Sequence, residues 1–187
     1  MRTRGLGVFS RLVVRKNRET VGRFPFFEID RWEVENRQGF TYHAYVLRCA
    51  DWVAAVAFTD DERFVLVEQH RHGIDAPSLE AAGGVVDPGE PLEQAARREL
   101  LEETGYAGPV IELLGTVHPN PGLQNNRFSA FLVRGAYQQA DATPDHNESV
   151  RLVLLSPREV RSALKNGEIT HALAVLALEW ALRAVGE

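Results

Sequence analysis

The sequence contains a single cysteine, Cys49, among its 187 residues. One cysteine excludes an internal disulfide, which favours a reducing cytoplasm as the location of the protein. No apolar run approaches the roughly 18 residues that are needed to span a membrane. The net charge of −5 argues against a protein that coats nucleic acid. We therefore expect a cytoplasmic protein without a membrane or nucleic-acid partner.

Acidic side chains are missing from residues 1–18, which are rich in arginine. The apolar centre of this segment, residues 12–14, is too short for a secretory signal. A strand with solvated basic flanks is the favoured interpretation, and a transit peptide is the alternative.

The length predicts one main domain with a small appendage. Residues 1–49 are expected to form a small N-terminal antiparallel β subdomain, with strands near 9–14, 24–32 and 42–47. Residues 50–187 are expected to form an α/β domain. Its predicted strands are 52–58, 64–67, 110–117, 128–133 and 150–155. Two later helices are predicted, one from Ser156 to Asn166 and one capped by Thr170.

The most informative stretch is residues 84–106. Asp87-Pro88-Gly89 is a turn signal, because proline presets φ and glycine tolerates positive φ. A helix is predicted to begin near Pro91 and to end at Gly105. The stretch therefore predicts a loop followed by a helix that ends at Gly105.

Three carboxylates lie along one edge of this helix. At about 100° per residue, Glu99 and Glu103 fall on the apolar side, and Glu102 lies beside them. Like charges at this spacing repel each other, and a bound cation would reverse that effect. Oxygen ligands without Cys or His suit Mg²⁺ or Mn²⁺, and Arg98 can orient them. The alternative is a solvated acidic helix face.

The stretch resembles the Nudix box. Every fixed position of that motif is filled, by Gly84, Glu90, Arg98, Glu99, Leu100, Glu102, Glu103, Gly105 and Tyr106. The resemblance implies the Nudix fold, an α/β/α sandwich with a mixed sheet. It also implies a loop–helix–loop that binds divalent metal and hydrolyses a nucleoside diphosphate linked to another group.

The segment ahead of the box resembles that of ADP-ribose-type Nudix enzymes. Arg71 matches the arginine that reaches the substrate phosphates in this family, and Glu80 matches a substrate-side glutamate. In relatives the backbone carbonyl just before the box glycine binds metal, which here is that of Gly83. Ala82 and Gly83 depart from the family's Pro-Ala, which affects the rigidity of the loop rather than its ligand chemistry.

The segments after the box add further candidates. Pro121 resembles a proline of ADP-ribose pyrophosphatases, and Asn126 lies in a segment similar to that of bacterial nucleoside-diphosphate-sugar hydrolases. Glu148 matches an acidic residue that is catalytic or metal-binding in relatives. Asp145 and His146 are alternatives in the same loop, and the sequence leaves that choice open.

The resemblance predicts Mg²⁺-dependent hydrolysis of the pyrophosphate bond of ADP-ribose or another nucleoside diphosphate sugar, with Mn²⁺ as an alternative ion. The products would be a nucleoside monophosphate and a sugar phosphate. Glu99, Glu102, Glu103 and the Gly83 carbonyl would hold metal, with Glu148, Glu102 and Arg98 in catalytic roles. The family also suggests a homodimer joined through residues 1–49.

Other functions of the family stay open at this point. Dinucleoside polyphosphates, capped RNA ends and oxidised nucleotides are alternative substrates, although the acidic balance argues against RNA. A non-catalytic module that senses ADP-ribose is the alternative from another class. Such sensors regulate transcription and need an added unit that binds DNA. This alternative is disfavoured because the two helices after Glu148 carry few basic residues.

Overall fold

The computed structural model describes residues 12–143 and 150–186. The chain divides into two units. The first consists of Met1–Cys49 with Asn120–Asn125, and the second of Ala50–Pro119 with Asn126–Glu187.

The first unit contains a three-stranded antiparallel sheet. Its strands are β1 (Val13–Arg23), β2 (Phe27–Asn36) and β3 (Thr41–Cys49), in the order β1-β2-β3. The loop 120–125 belongs to the same unit because it pairs with β3. The Leu47 N–H donates to the Leu123 carbonyl at 2.8 Å, and the Asn125 N–H donates to the Leu47 carbonyl at 3.3 Å.

The described end of the basic segment, residues 13–18, lies within β1, which continues to Arg23. Charged side chains of β1 and β2 form ion pairs across the sheet, with the basic partner on either strand. Lys16 contacts Glu35 at 2.6 Å, and Arg31 of β2 contacts Glu19 of β1 at 2.5 Å. Opposite charges on facing strands stabilise the pairing, so this charged segment is drawn into the sheet.

The second unit is built on one mixed sheet. Its strands are β4 (Trp52–Thr59), β5 (Phe64–Arg71), β6 (Ala76–Glu80), β7 (Ala82–Val85), β8 (Tyr106–Ala107), β9 (Val110–Val117), β10 (Phe128–Gln138) and β11 (Val150–Leu155). The order is β11-β5-β4-β10-β8, with β6 on β5, β7 on β4 and β9 on β10. Strands β4 and β10 are parallel, and the other pairs are antiparallel.

Helices cover both faces of this sheet. They are α1 (Leu92–Thr104), α2 (Pro157–Asn166) and α3 (Ala172–Ala184). Successive residues of a strand point to opposite faces. Accordingly Val53 and Ala55 belong to the core beneath α1, and Ala54 and Val56 belong to the core beneath α2 and α3. The predicted α/β/α sandwich with a mixed sheet is confirmed.

Three short strands, β6, β7 and β8, were missed by the sequence analysis. Strand β6 contains Pro77, and β7 contains Gly83 and Gly84, which are residues that strands usually avoid. Strand β6 pairs with β5, and β7 pairs with the buried β4. Their conformation therefore depends on neighbouring strands rather than on local preference.

The helix ends follow the capping signals with one exception. Helix α1 begins after Pro91 and ends at Gly105, which has a φ of 74°. Ser156 caps α2 through a full capping box. The predicted cap of α3 at Thr170 is wrong by one residue, because His171 is the N-cap. Among the helices within the described ranges, none is long and apolar enough to cross a membrane.

Candidate active site

The site forms where the strand β7 approaches helix α1. The carboxylate of Glu103 lies inside the fold, with 4% of the residue exposed. Its Oε2 accepts a hydrogen bond from the Gly83 backbone N–H at 2.9 Å. A buried carboxylate is costly unless it is hydrogen-bonded, and this contact fixes the backbone of Gly83 against the helix.

Close approach requires glycine at position 83 and favours it at position 84. A Cβ at Gly83 would lie 2.2 Å from the backbone oxygen of Val53, which cannot move aside. A Cβ at Gly84 would lie 2.5 Å from Oε1 of Glu99, so a side chain there would displace this carboxylate. The glycine at position 83, where the family has alanine, therefore suits the packing of β7 against β4. The carboxylate of Glu99 lies directly against β7 at Gly84.

Arg98 joins the loop to the helix. Its Nε and Nη2 donate to the two oxygens of Glu90 at 3.0 and 2.9 Å. Its Nη1 donates to Glu99 at 2.8 Å and to Glu102 at 3.1 Å, and Nη2 also reaches the Val85 carbonyl at 3.0 Å. The hydrogen bond to Glu90 is the largest cause that raises the pKa of Arg98 above its ordinary range, so this group stays charged.

The donor set of this site fits a hard divalent cation by its chemistry. Glu99, Glu102, Glu103 and the Gly83 carbonyl offer oxygen ligands, which Mg²⁺ and Mn²⁺ prefer. In the part of the chain that the structure describes, no three acidic, histidine or cysteine side chains form a group that could hold a metal ion. Arg98 contacts Glu99 and Glu102 instead, and the Gly83 N–H of β7 donates to Glu103. Binding a cation would exchange some of these contacts for metal–oxygen bonds.

The second charged cluster lies at the ends of β5 and β6. Arg71 donates from Nε and Nη2 to the two oxygens of Glu80, both at 2.8 Å. Glu80 is buried, with 3% exposed, whereas the Arg71 side chain is 42% exposed. The two residues that were predicted separately for the substrate therefore contact each other, and the exposed member is the arginine.

His171 joins this cluster and was missed by the sequence analysis. Its Nδ1 lies 2.7 Å from Oε2 of Glu80. No motif marks a histidine before the last helix, because the contact spans about half of the chain. Only the packing of α3 against β6 brings His171 and Glu80 together.

The carboxyl group of Glu80 stays ionised. Burial raises its pKa, but the two hydrogen bonds from Arg71, together with the nearby polar groups of His171 and Ser78, outweigh burial and hold the pKa well below its ordinary value. A carboxylate with several donors is expected to behave in this way. The cluster is therefore a buried anion surrounded by donors.

Three other predicted site residues have the following positions. Pro121 lies in the loop that pairs with β3 in the first unit. Asn126 is buried and donates from Nδ2 to the Ala50 carbonyl at 3.0 Å. Glu148 lies outside the described residues, as do its alternatives Asp145 and His146. The substrate and catalytic roles of these residues stay predictions.

Comparison with known proteins identifies the class. A model of the NUDIX domain matches residues 50–176, so the chain belongs to the Nudix family. The predictions of a Nudix fold and of a pyrophosphohydrolase are confirmed. The resemblance to ADP-ribose pyrophosphatases is confirmed as well.

Individual relatives agree with this assignment. The ADP-ribose pyrophosphatase of Bacillus subtilis is 24% identical over 149 residues, which cover 79% of this chain and 80% of that protein. The methanol dehydrogenase activator of Bacillus methanolicus is 29% identical over 160 residues, which cover 85% of each protein. A crystal structure of an ADP compounds hydrolase shares the fold, with a TM-score of 0.83 and 23% identity over 94% of this chain and 97% of that chain.

The ionised Glu80 generates a prediction about stability and pH. Its pKa in the folded state lies below the ordinary value of 4.5. Above pH 4.5 the carboxylate is ionised in both the folded and the unfolded protein, so its full contribution to the free energy of unfolding is present. Below that pH the unfolded protein binds the proton first, so the contribution to the free energy of unfolding becomes smaller. We expect Glu80→Gln to lower the free energy of unfolding by about 2–3 kcal/mol at pH 7, and this difference to diminish toward pH 3.

Urea unfolding of both proteins between pH 7 and pH 3 measures this difference. Glu93→Gln is the matched control, because the Glu93 side chain is 56% exposed on α1. We expect a change below about 0.5 kcal/mol for this exposed partner of Arg97. A difference for Glu80→Gln that stays constant down to pH 3 would contradict the low pKa.

Proposed function

We propose that this protein is a cytoplasmic, Mg²⁺-dependent hydrolase of ADP-ribose or a related nucleoside diphosphate sugar. Water would attack one phosphorus, the phosphoanhydride bond would break, and a nucleoside monophosphate and a sugar phosphate would leave. The observation that carries the proposal is the set of box carboxylates placed against the backbone of Gly83 and Gly84. The ADP-ribose pyrophosphatase among the relatives supports this class of substrate.

Several residues of the box would coordinate the ion together. Glu99, Glu102 and Glu103 would supply carboxylate oxygens, and Gly83 its carbonyl. When bound, Mg²⁺ or Mn²⁺ would neutralise charge on the diphosphate and lower the pKa of water. Arg98 would keep Glu99 and Glu102 oriented, since it contacts both of them and also fixes the loop through Glu90.

Two residues outside the helix complete the proposal. Arg71 would bind the diphosphate, because its side chain is charged and partly exposed and guanidinium suits phosphate oxygens. Glu148 would accept the proton of the attacking water. This role rests on the resemblance of the segment around Glu148 to that of the ADP-ribose-type relatives.

A substrate panel tests the proposed reaction. Purified protein with Mg²⁺ is incubated with ADP-ribose, nucleotide sugars, a dinucleoside polyphosphate, capped RNA and an oxidised nucleotide. We expect the highest kcat/KM for ADP-ribose or a nucleotide sugar, with AMP and ribose 5-phosphate as products of ADP-ribose, and no turnover with excess EDTA. A higher kcat/KM for another member of the panel would show that the proposed substrate class is wrong. No cleavage of any member would refute the proposal as a whole.

Glu103→Gln tests the proposed metal ligand. An amide offers a neutral oxygen in place of a carboxylate, so we expect kcat/KM to fall by about 100-fold or more. Mn²⁺ affinity, measured by electron paramagnetic resonance without substrate, should fall in parallel. Glu93→Gln on the same helix should leave both unchanged. Wild-type turnover in Glu103→Gln would refute the assignment of Glu103 as a ligand.

We also propose that the protein is a homodimer joined through the first unit. The resemblance to ADP-ribose-type relatives suggests this arrangement, and the unit exposes large apolar side chains that a second copy would cover; Phe26 is 85% exposed and Phe40 is 69% exposed. Light scattering should give about twice the chain mass of 20.9 kDa. Phe26→Glu should shift the equilibrium toward the monomer, whereas Val110→Glu, at a 53% exposed position of β9, should not. A monomeric wild type would refute the dimer.

A further inference from the structure

His171 occupies the N-cap of α3 without capping the helix. Its backbone carbonyl accepts from the Val175 N–H at 2.9 Å, but its side chain makes no cap hydrogen bond. N-cap positions usually hold a short polar side chain that bonds to the first turn. The preceding residue, Thr170, is better suited to capping than histidine. Capping of α3 therefore does not explain why a histidine ring lies at this position.

The imidazole is directed at Glu80. Its Nδ1 is buried and lies 2.7 Å from Oε2 of that residue, although the pair lacks the angle of a hydrogen bond. Two unprotonated acceptors at this distance would repel each other, so the contact is favourable only when Nδ1 carries the proton. In this tautomer or in the charged form, the N–H of His171 stabilises an anion that is itself buried.

Glu80 in turn fixes the plane of Arg71. The two parallel hydrogen bonds, both at 2.8 Å, define the position of the guanidinium more closely than one contact would. Oε2 accepts from Arg71 and lies directly beside the imidazole of His171. Removing the imidazole would open space next to Oε2 and give the carboxylate freedom to rotate, and the guanidinium would follow it.

We propose that His171 is a positioning residue that holds the Glu80 carboxylate, and through it the Arg71 guanidinium, in the orientation that binds the substrate diphosphate. This inference rests on the proposed function, in which Arg71 binds phosphate. It assigns a role to the start of α3, a helix that otherwise supports the core. His171 does not touch the substrate, so its effect is on binding rather than on the chemical step.

Kinetics of His171→Ala, with the panel member that the protein hydrolyses best, tests this role. We expect KM to rise about tenfold and kcat to change less than about twofold, because a misplaced Arg71 weakens binding in the ground and transition states alike. His171→Gln keeps an N–H donor and should recover most of the loss. His72→Ala, which removes an exposed histidine near the end of β5, is the control and should not change KM. An unchanged KM in His171→Ala, or a loss confined to kcat, would overturn the proposal.

A double-mutant cycle shows whether the effect passes through Arg71. Lysine cannot form the two parallel bonds to Glu80, so in an Arg71→Lys background the effect of His171→Ala should fall below about twofold. Equal effects in both backgrounds would show that His171 acts by another route and would overturn the proposal.

A readout without substrate separates this inference from the proposed function. In ¹H–¹⁵N spectra the Nε–H resonance of Arg71 should shift in His171→Ala and not in His72→Ala. If the protein cleaves no panel member but this resonance shifts, the proposed function fails and the positioning contact stands. If cleavage occurs and the resonance does not move, only the positioning role is refuted.

Discussion

The contact of Arg98 with three glutamates is the interaction on which the site depends. Glu90 comes from the loop, and Glu99 and Glu102 come from α1, so one guanidinium ties two segments together. Three carboxylates so close would repel each other without a positive charge between them. The loop and the helix therefore keep their relative position because Arg98 neutralises the charge where they meet.

A second constraint is steric and acts on the same loop. Strand β7 passes so close to β4 that a side chain at position 83 is excluded, and a side chain at position 84 would displace the carboxylate of Glu99. The Gly83 N–H is then bonded to the buried Glu103. Electrostatic and steric requirements thus converge on a few residues, which explains why a short motif can define the site so narrowly.

The two charged clusters are linked by the chain itself. Glu80 ends β6, and Ala82 begins β7, so the residue that anchors Arg71 lies only a few positions before the loop at Gly83. Each cluster contains an arginine with a bidentate carboxylate partner, Glu80 for Arg71 and Glu90 for Arg98. Glu80 is buried, while the Glu102 side chain, which makes one further contact with Arg98, is 46% exposed. The buried partner makes Arg71 a fixed cation, and the exposed carboxylate of Glu102 can exchange partners.

The sequence by itself determined the local features of this protein. Turn and capping residues placed α1 between Pro91 and Gly105, and helical periodicity placed Glu99, Glu102 and Glu103 along one edge, because these effects act within a few residues. Only the tertiary structure decided the partners of these groups. Strands β6 and β7, the pairing of Arg71 with Glu80 and the approach of His171 all depend on segments distant in the chain. A single sequence carries no local signal for such contacts, because burial and sheet pairing form them only once the chain has folded.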